Sequence, residues 1–413
     1  VARRQRSQPA ATPPPIAPRR PFVGEFVLWG CCGYMVLALC GFALLRTAAA
    51  TRSGNELSAD RALFMAVNAA TLTGFQTTIR PSDLDLAGQW ALLGLMCAAA
   101  LLTLLVGGAA ARRILRLDFT DRHVAAAAAA FCFGGITIGS ALLGASGQPI
   151  LAALMQSAAA LGNCGIVAGD LPGYATWESL LVLLPLVVLG GLGLPVAMQL
   201  FFLCWKHQPL THHGRTTLAM SAGVYVAGTS LILLLQWASA TPGTLVDHAA
   251  LASASALNSR SAGLPFGELA ALARPAQWVV LLLMVIGAGS AGTGGGLKVT
   301  AIYELFRGAL RAYRGLAPTR TFAIAAAWAG TYAAIAAGVL ALLLLMQPEM
   351  RDDRLLFLAI SAVSNVGLSH DTVQIVGGGL NVLVAAMLLG RIAPLLVMLW
   401  MLNRVEDADV VVA

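Results

Sequence analysis

The chain has 413 residues, 58% of them hydrophobic and 11% charged, and a formal net charge of +7, with a mean hydropathy of +0.78. That balance excludes an ordinary soluble globular protein and makes a lipid bilayer the solvent for most of the chain. Cys31, Cys32, Cys40, Cys97, Cys132, Cys164 and Cys204 lie in apolar runs without CxxC or histidine spacing, so neither a metal centre nor a disulfide framework is expected.

Residues 1–21 carry five arginines and a proline-rich run and read as a disordered cytoplasmic tail. Apolar runs long enough to span a bilayer, which takes about 20 residues, follow at 22–45, 90–115, 124–145, 180–203, 218–237, 278–297, 322–346 and 380–402. After each odd-numbered span comes a shorter apolar stretch that ends in a glycine: 59–75 with Gly74, 149–166 with Gly165, 246–264 with Gly263 and 355–368 with Gly367. Each stretch reads as a re-entrant half-helix followed by a glycine loop. Ser58, Pro149, Thr244 with Asp247, and Asp352 with Asp353 suit the four half-helix starts. Trp90, Trp177 and Trp278 open the next spans at headgroup level. The recurrence divides the chain into units 22–117, 118–209, 210–317 and 318–413. Non-helical backbone at membrane depth is tolerated only against protein or water. The expected fold is therefore an all-α polytopic membrane protein, eight transmembrane helices and four re-entrant half-helices around a central pore.

One alternating set of loops holds 17 basic residues against 8 in the other, which by the positive-inside rule places both termini in the cytoplasm. The outer set carries 12 acidic residues, so the pore entrance is expected to be negative and to concentrate cations; topology bias alone would also produce this.

A half-helix entering from outside aims its partially negative carboxyl end at the membrane centre, which favours a cation. Behind it come Thr71, Leu72, Thr73 and Gly74 in the first loop, Asn163, Cys164 and Gly165 in the second, Ser261, Ala262 and Gly263 in the third, and Asn365, Val366 and Gly367 in the fourth. Extended backbone there can offer carbonyls in place of a hydration shell, with glycine supplying the dihedrals. No carboxylate sits at any of the four glycines, which favours a weakly hydrated monovalent ion over Ca²⁺ or Mg²⁺.

Gly287, Gly289 and Gly292 match a dinucleotide fingerprint, but the run lies in a membrane span with no second strand after it. Gly289, Ser290, Gly292, Thr293, Gly294, Gly295 and Gly296, with Lys298, are instead expected to break the sixth span into a movable gate; close packing of small residues is the competing reading. Arg391, inside the last span, is expected to act as a positive barrier unless it snorkels to the interface. Arg260 is expected either to brace the third loop through carbonyls, Asp247 or Glu268 or to be a plain outer-surface arginine, and Lys298 with the basic stretch 307–320 either to meet a cytoplasmic partner or anionic lipid or to reflect positive-inside bias alone.

Taken in order, these motifs resemble the Trk/Ktr/HKT superfamily of potassium transporters. The first filter from Ala70 to Phe75, the Gly-Gly-Leu-Gly-Leu-Pro run ending at Pro195, Leu210-Thr-His-His213, the third filter from Ser259 to Leu264, the glycine-rich run from Gly289 to Val299 and Gly390-Arg-Ile-Ala-Pro-Leu395 carry the resemblance. Ile166, Leu264 and Leu368 replace the usual phenylalanine, and Ala393 a frequent glycine. The resemblance implies K⁺ uptake across a bacterial inner membrane, with Na⁺ as a second candidate ion, no organic cofactor on this chain and no enzymatic activity. It implies a homodimer of Ktr-type subunits on a cytoplasmic ring of nucleotide-binding regulatory subunits, and no nucleic-acid partner. Glycine at all four filter positions reads as potassium selectivity. The alternatives are the potassium-translocating subunit of an ATP-driven pump and a proton-coupled cation carrier. An intramembrane protease is disfavoured because no span carries paired carboxylates.

Overall fold

The computed structural model describes residues 22–47, 57–114, 120–260, 262–267 and 269–411. The arginine-rich segment 1–21, Ser261 and Glu268 lie outside the described residues. The described chain is helical: α1 (Phe22–Thr47), α2 (Ala59–Ala70), α3 (Leu86–Ile114), α4 (Asp121–Ala145), α5 (Ile150–Gly162), α6 (Leu184–Leu192), α7 (Leu194–Lys206), α8 (His212–Ala238), α9 (Leu245–Asn258), α10 (Arg274–Val285), α11 (Val299–Tyr313), α12 (Arg320–Met346), α13 (Asp352–Val363) and α14 (Gly378–Val411).

Helix starts follow from side chains that satisfy the orphan N–H groups of a first turn. Thr120, Thr211, Thr244 and Thr319 accept from the third residue onward at the heads of α4, α8, α9 and α12. Thr244 and Asp247 form the expected reciprocal capping box. Ser58 occupies the N-cap of α2, but its hydroxyl donates to Asp60 and makes no cap bond. Pro149 sits at the N-cap of α5, one residue before the first turn.

Among the described residues six helices are long and apolar enough to cross a membrane, or seven if one bent pair counts as a single span. Two of the eight spans expected from hydropathy are interrupted: the break in the sixth was expected from its glycines, whereas the bend in the fourth corrects the expectation of a continuous helix. In the fourth, a π-helical turn at Ser179–Leu183 leads into α6, and α6 and α7 then meet at 108°. The bend sits at Gly193, whose φ of +85° no other residue adopts without strain. In the sixth, α10 ends at Val285 and the glycine-rich run beyond it is not helical. Glycine costs about 1 kcal/mol per residue in a helix interior, so this run has little reason to continue one.

The short helices α2, α5 and α13 are buried over most of their length, and α9 over its second half. By contrast only 11% of the apolar window of α8 is buried. The interior is rich in alanine, with Ala158, Ala159 and Ala160 on α5 and Ala359 and Ala362 on α13 all fully enclosed. Lipid tails are as apolar as leucine, so close van der Waals fit, not transfer from water, must hold these helices together.

Candidate functional site

The four short helices end at glycine loops that meet one another. A Cβ on Gly74 would collide with the amide of Gly165, one on Gly165 with the carbonyls of Gly263 and Gly74, one on Gly263 with the Val366 carbonyl, and one on Gly367 with the Thr73 carbonyl. The contacts close a cycle, so the four loops encircle one axis with no room for a side chain between them. Gly74 is doubly constrained, since its φ is also +90°.

Three loops reach their glycine in the same way. Leu72, Asn163 and Asn365, each two residues before the glycine, hold left-handed φ values of 52°, 52° and 48°. Asparagine tolerates that region, whereas leucine is strained there by about 1–2 kcal/mol. Leu72, Cys164, Ala262 and Val366 are each 0% exposed, so these residues turn their side chains into the protein and leave backbone at the junction.

Two asparagines that the sequence reading passed over stiffen the loops. The Asn68 Oδ1 accepts from Gly74 N at 2.8 Å and Phe75 N at 2.9 Å, while its Nδ2 donates to the Phe75 carbonyl at 3.0 Å. Asn258 does the same for Leu264, accepting from its N–H and donating to its carbonyl, both at 2.7 Å. An asparagine late in a half-helix, five or six residues before the glycine, was the available signal.

Asn365 ties the fourth loop to the first, donating to Thr73 Oγ1 at 3.0 Å. A parallel bridge between Thr77 and Val373 joins the same two loops above the glycines. Outside them lies an open cavity of about 490 Å³ whose lining includes Gln76, Asp170, His370 and Asp371. His370 places Nε2 3.0 Å from Gln277 Oε1 and its ring edge-on to Phe357. Burial pushes its pKa below the ordinary imidazole value; Asp353 and Asp371 pull it up, while Arg354 and Arg351 push it down.

Below the glycines sits the non-helical run between α10 and α11. Gly289 N donates to the Gly191 carbonyl at 2.8 Å and Thr293 N to that of Gly190 at 3.0 Å, so the run is hydrogen-bonded to the end of α6. Thr293 Oγ1 donates to Leu161 at 3.0 Å and accepts from Asn163 Nδ2 at 2.8 Å. Gly295 packs so closely on Ser364 and Asn365 that a Cβ would strike them. The run therefore touches the second and fourth loops together. Ser290 bonds Thr300 at 2.7 Å, and the Lys298 ammonium donates to the Gly294 carbonyl. Gly292 and Gly296 belong to the same run, pressed on Gly191 and Gly287.

Arg391 does not snorkel. It is 6% exposed, and its Nε donates to the Thr71 carbonyl at 2.7 Å, beneath the first loop. Arg260 braces through carbonyls, but not through Asp247: it donates to Ser221 O at 3.1 Å and Gly287 O at 3.2 Å, while the Asp247 carboxylate serves its own helix cap.

No family model matches the chain. It is 31% identical over 241 residues to the Ktr system potassium uptake protein B of Vibrio alginolyticus, an alignment covering 54% of this chain and 51% of the relative. The chain thus spans about half the length of that relative. It is 24% identical over 404 residues to the protein of the same name from Bacillus subtilis (strain 168), covering 88% of this chain and 90% of the relative. The crystal structure of the potassium transporter TrkH from Vibrio parahaemolyticus superposes with a TM-score of 0.74 at 17% identity, over 93% of this chain and 86% of that one, a likeness of fold. The names these relatives carry are those of transport proteins, not of enzymes.

Proposed function

We propose that the chain is a potassium transporter of the Trk/Ktr type, as its likeness to proteins so named supports, and that it carries K⁺ inward through the opening enclosed by the four glycine loops. In this reading the four units 22–117, 118–209, 210–317 and 318–413 each contribute a pore loop, and the chain itself is no enzyme. The observation that supports it is the closed cycle of Gly74, Gly165, Gly263 and Gly367, which brings main-chain carbonyls from four dissimilar segments to one axis.

Backbone carbonyls are strong fixed dipoles that replace the water around a weakly hydrated ion. Asn68 and Asn258 hold the carbonyl positions, so little reorganisation is needed when the ion arrives. A membrane potential contributes about 2.3 kcal/mol per charge per 100 mV, enough to drive entry. The run 286–298 serves as the gate beneath, and Arg391 adds a positive charge to the same level, limiting leak. Both termini lie in the cytoplasm, the protein sits in a bacterial inner membrane as a homodimer, and a cytoplasmic nucleotide-binding ring regulates it.

The test is growth of a potassium-uptake-deficient strain on low K⁺. Rescue is expected with the regulatory partner present, and failure of a well-expressed chain to rescue rejects the reading. For Gly74→Ser, the new side chain must displace the Gly165 amide, and Na⁺ uptake in competition with K⁺ is expected to rise by about tenfold or more, a change of about 1.4 kcal/mol in discrimination.

A further inference from the structure

The first loop carries a group that the other three lack. Two residues past the glycine stand Gln76, Val167, Pro265 and Ser369. Valine and proline have no side-chain donor, and the Ser369 hydroxyl is taken by the Asp371 carbonyl at 2.6 Å. Gln76 alone folds back onto the glycines. Its Nε2 donates to the Gly165 carbonyl at 2.7 Å and lies 3.3 Å from the Gly74 carbonyl.

Both neighbours are acceptors only, so the NH₂ end of the carboxamide, not its oxygen, must face them. That end carries partial positive charge and spans two carbonyls from different loops, the arrangement an alkali ion would itself seek. The backbone of Gln76 is fixed, because its carbonyl accepts from Val373 N at 2.8 Å and the next residue is in the parallel bridge. The side chain is half-buried and borders the outer cavity of about 490 Å³, so it has somewhere to go when displaced.

We propose that the Gln76 carboxamide is a built-in competitor for the outermost carbonyl pair, Gly74 and Gly165, and that an entering cation must displace it. This rests on the filter reading given above. Gln76 then sets the external K⁺ concentration at which transport half-saturates, and it does so on one side of an otherwise four-sided site. A neutral hydrogen bond offsets binding by an amount corresponding to about threefold to tenfold in affinity.

The test uses the full chain with its regulatory partner in potassium-uptake-deficient cells, comparing Gln76→Leu, which keeps bulk but no donor, with Gln76→Asn, which is one methylene too short to reach. Both are expected to lower the half-saturating K⁺ by about fivefold. A second measurement, on purified protein, is the K⁺ concentration needed to protect against heat unfolding, which reports binding without transport. It is expected to fall by the same factor. Half-saturation and heat protection unchanged or weakened in both variants overturn the proposal. Gly74→Ser run alongside separates the causes: if it alters K⁺/Na⁺ discrimination while the Gln76 variants match the parent, the filter stands and the competitor falls. If none of the three differs from the parent, both readings fall.

Discussion

A single carboxamide, Asn68, holds three main-chain groups of the first loop, and Asn258 holds two of the third. Removing Asn68 leaves the N–H groups of Gly74 and Phe75 buried without partners, at about 1–3 kcal/mol each. Asn68→Ala is therefore expected to lower stability by about 2–4 kcal/mol and Asn258→Ala by about half as much, because it orphans one N–H. Thermal unfolding of the purified variants checks the order; equal losses would reject the bracing argument. His370 gives a pH dependence of known sign. Its folded pKa is depressed, so its contribution is constant above the unfolded value of about 6.5 and stability falls as pH drops through that value, until the folded group also takes its proton. Unfolding followed from pH 7.5 down to 5 is expected to show this fall, reduced in His370→Gln. The glycines were legible from sequence because positive φ at Gly74, Gly263 and Gly367, and the close approach of two carbonyls at Gly165, leave few substitutes. The asparagines were not, because their bonds exist only once the chain doubles back on itself. Arg260 read from sequence equally as a brace or as a surface arginine, because its partners Ser221 and Gly287 are set by how α8 packs beside the broken sixth span.

The break between α10 and α11 is the element proposed to act as the gate. Its composition announced a non-helical stretch, but hydropathy averaged it into a span, and the bend at Gly193 vanished into another for the same reason. Averages over an apolar window do not register where backbone bonds go; here they go to Gly190 and Gly191. Thr293 is the residue that couples the break to the loops above, with bonds to Leu161 and Asn163. Thr293→Val keeps the shape and removes both side-chain bonds, so the run is expected to open more readily and K⁺ flux to rise by about fivefold without the regulatory partner, as about 1 kcal/mol of lost bonding implies. Unchanged flux would detach Thr293 from gating. Arg391→Ala is expected to raise flux as well, by removing the charge beneath the first loop, and rubidium uptake into proteoliposomes measures both.

For the whole molecule, the recurrence of short helix and glycine was readable because each unit repeats its own local rules. The order in which the units touch was not, since no one unit encodes its neighbours. The proposed orientation rests on loop charge, and it can be checked with single cysteines in a cysteine-free background. Ser239→Cys, past the end of α8, is expected to react with an impermeant maleimide added outside intact cells, and Ala317→Cys, before α12, is not. The reverse pattern would invert the topology. The contact of Asn365 with Thr73 joins residues 292 apart in sequence, and the Arg391 bond to Thr71 joins residues 320 apart. During synthesis the first loop must therefore wait for the final quarter of the chain, its Thr73 hydroxyl lacking Asn365 and its Thr71 carbonyl lacking Arg391 throughout. Assembly is exposed for that interval to whatever the insertion machinery can shelter, and a ribosome that stalls before Asn365 leaves behind an open horseshoe in place of a ring.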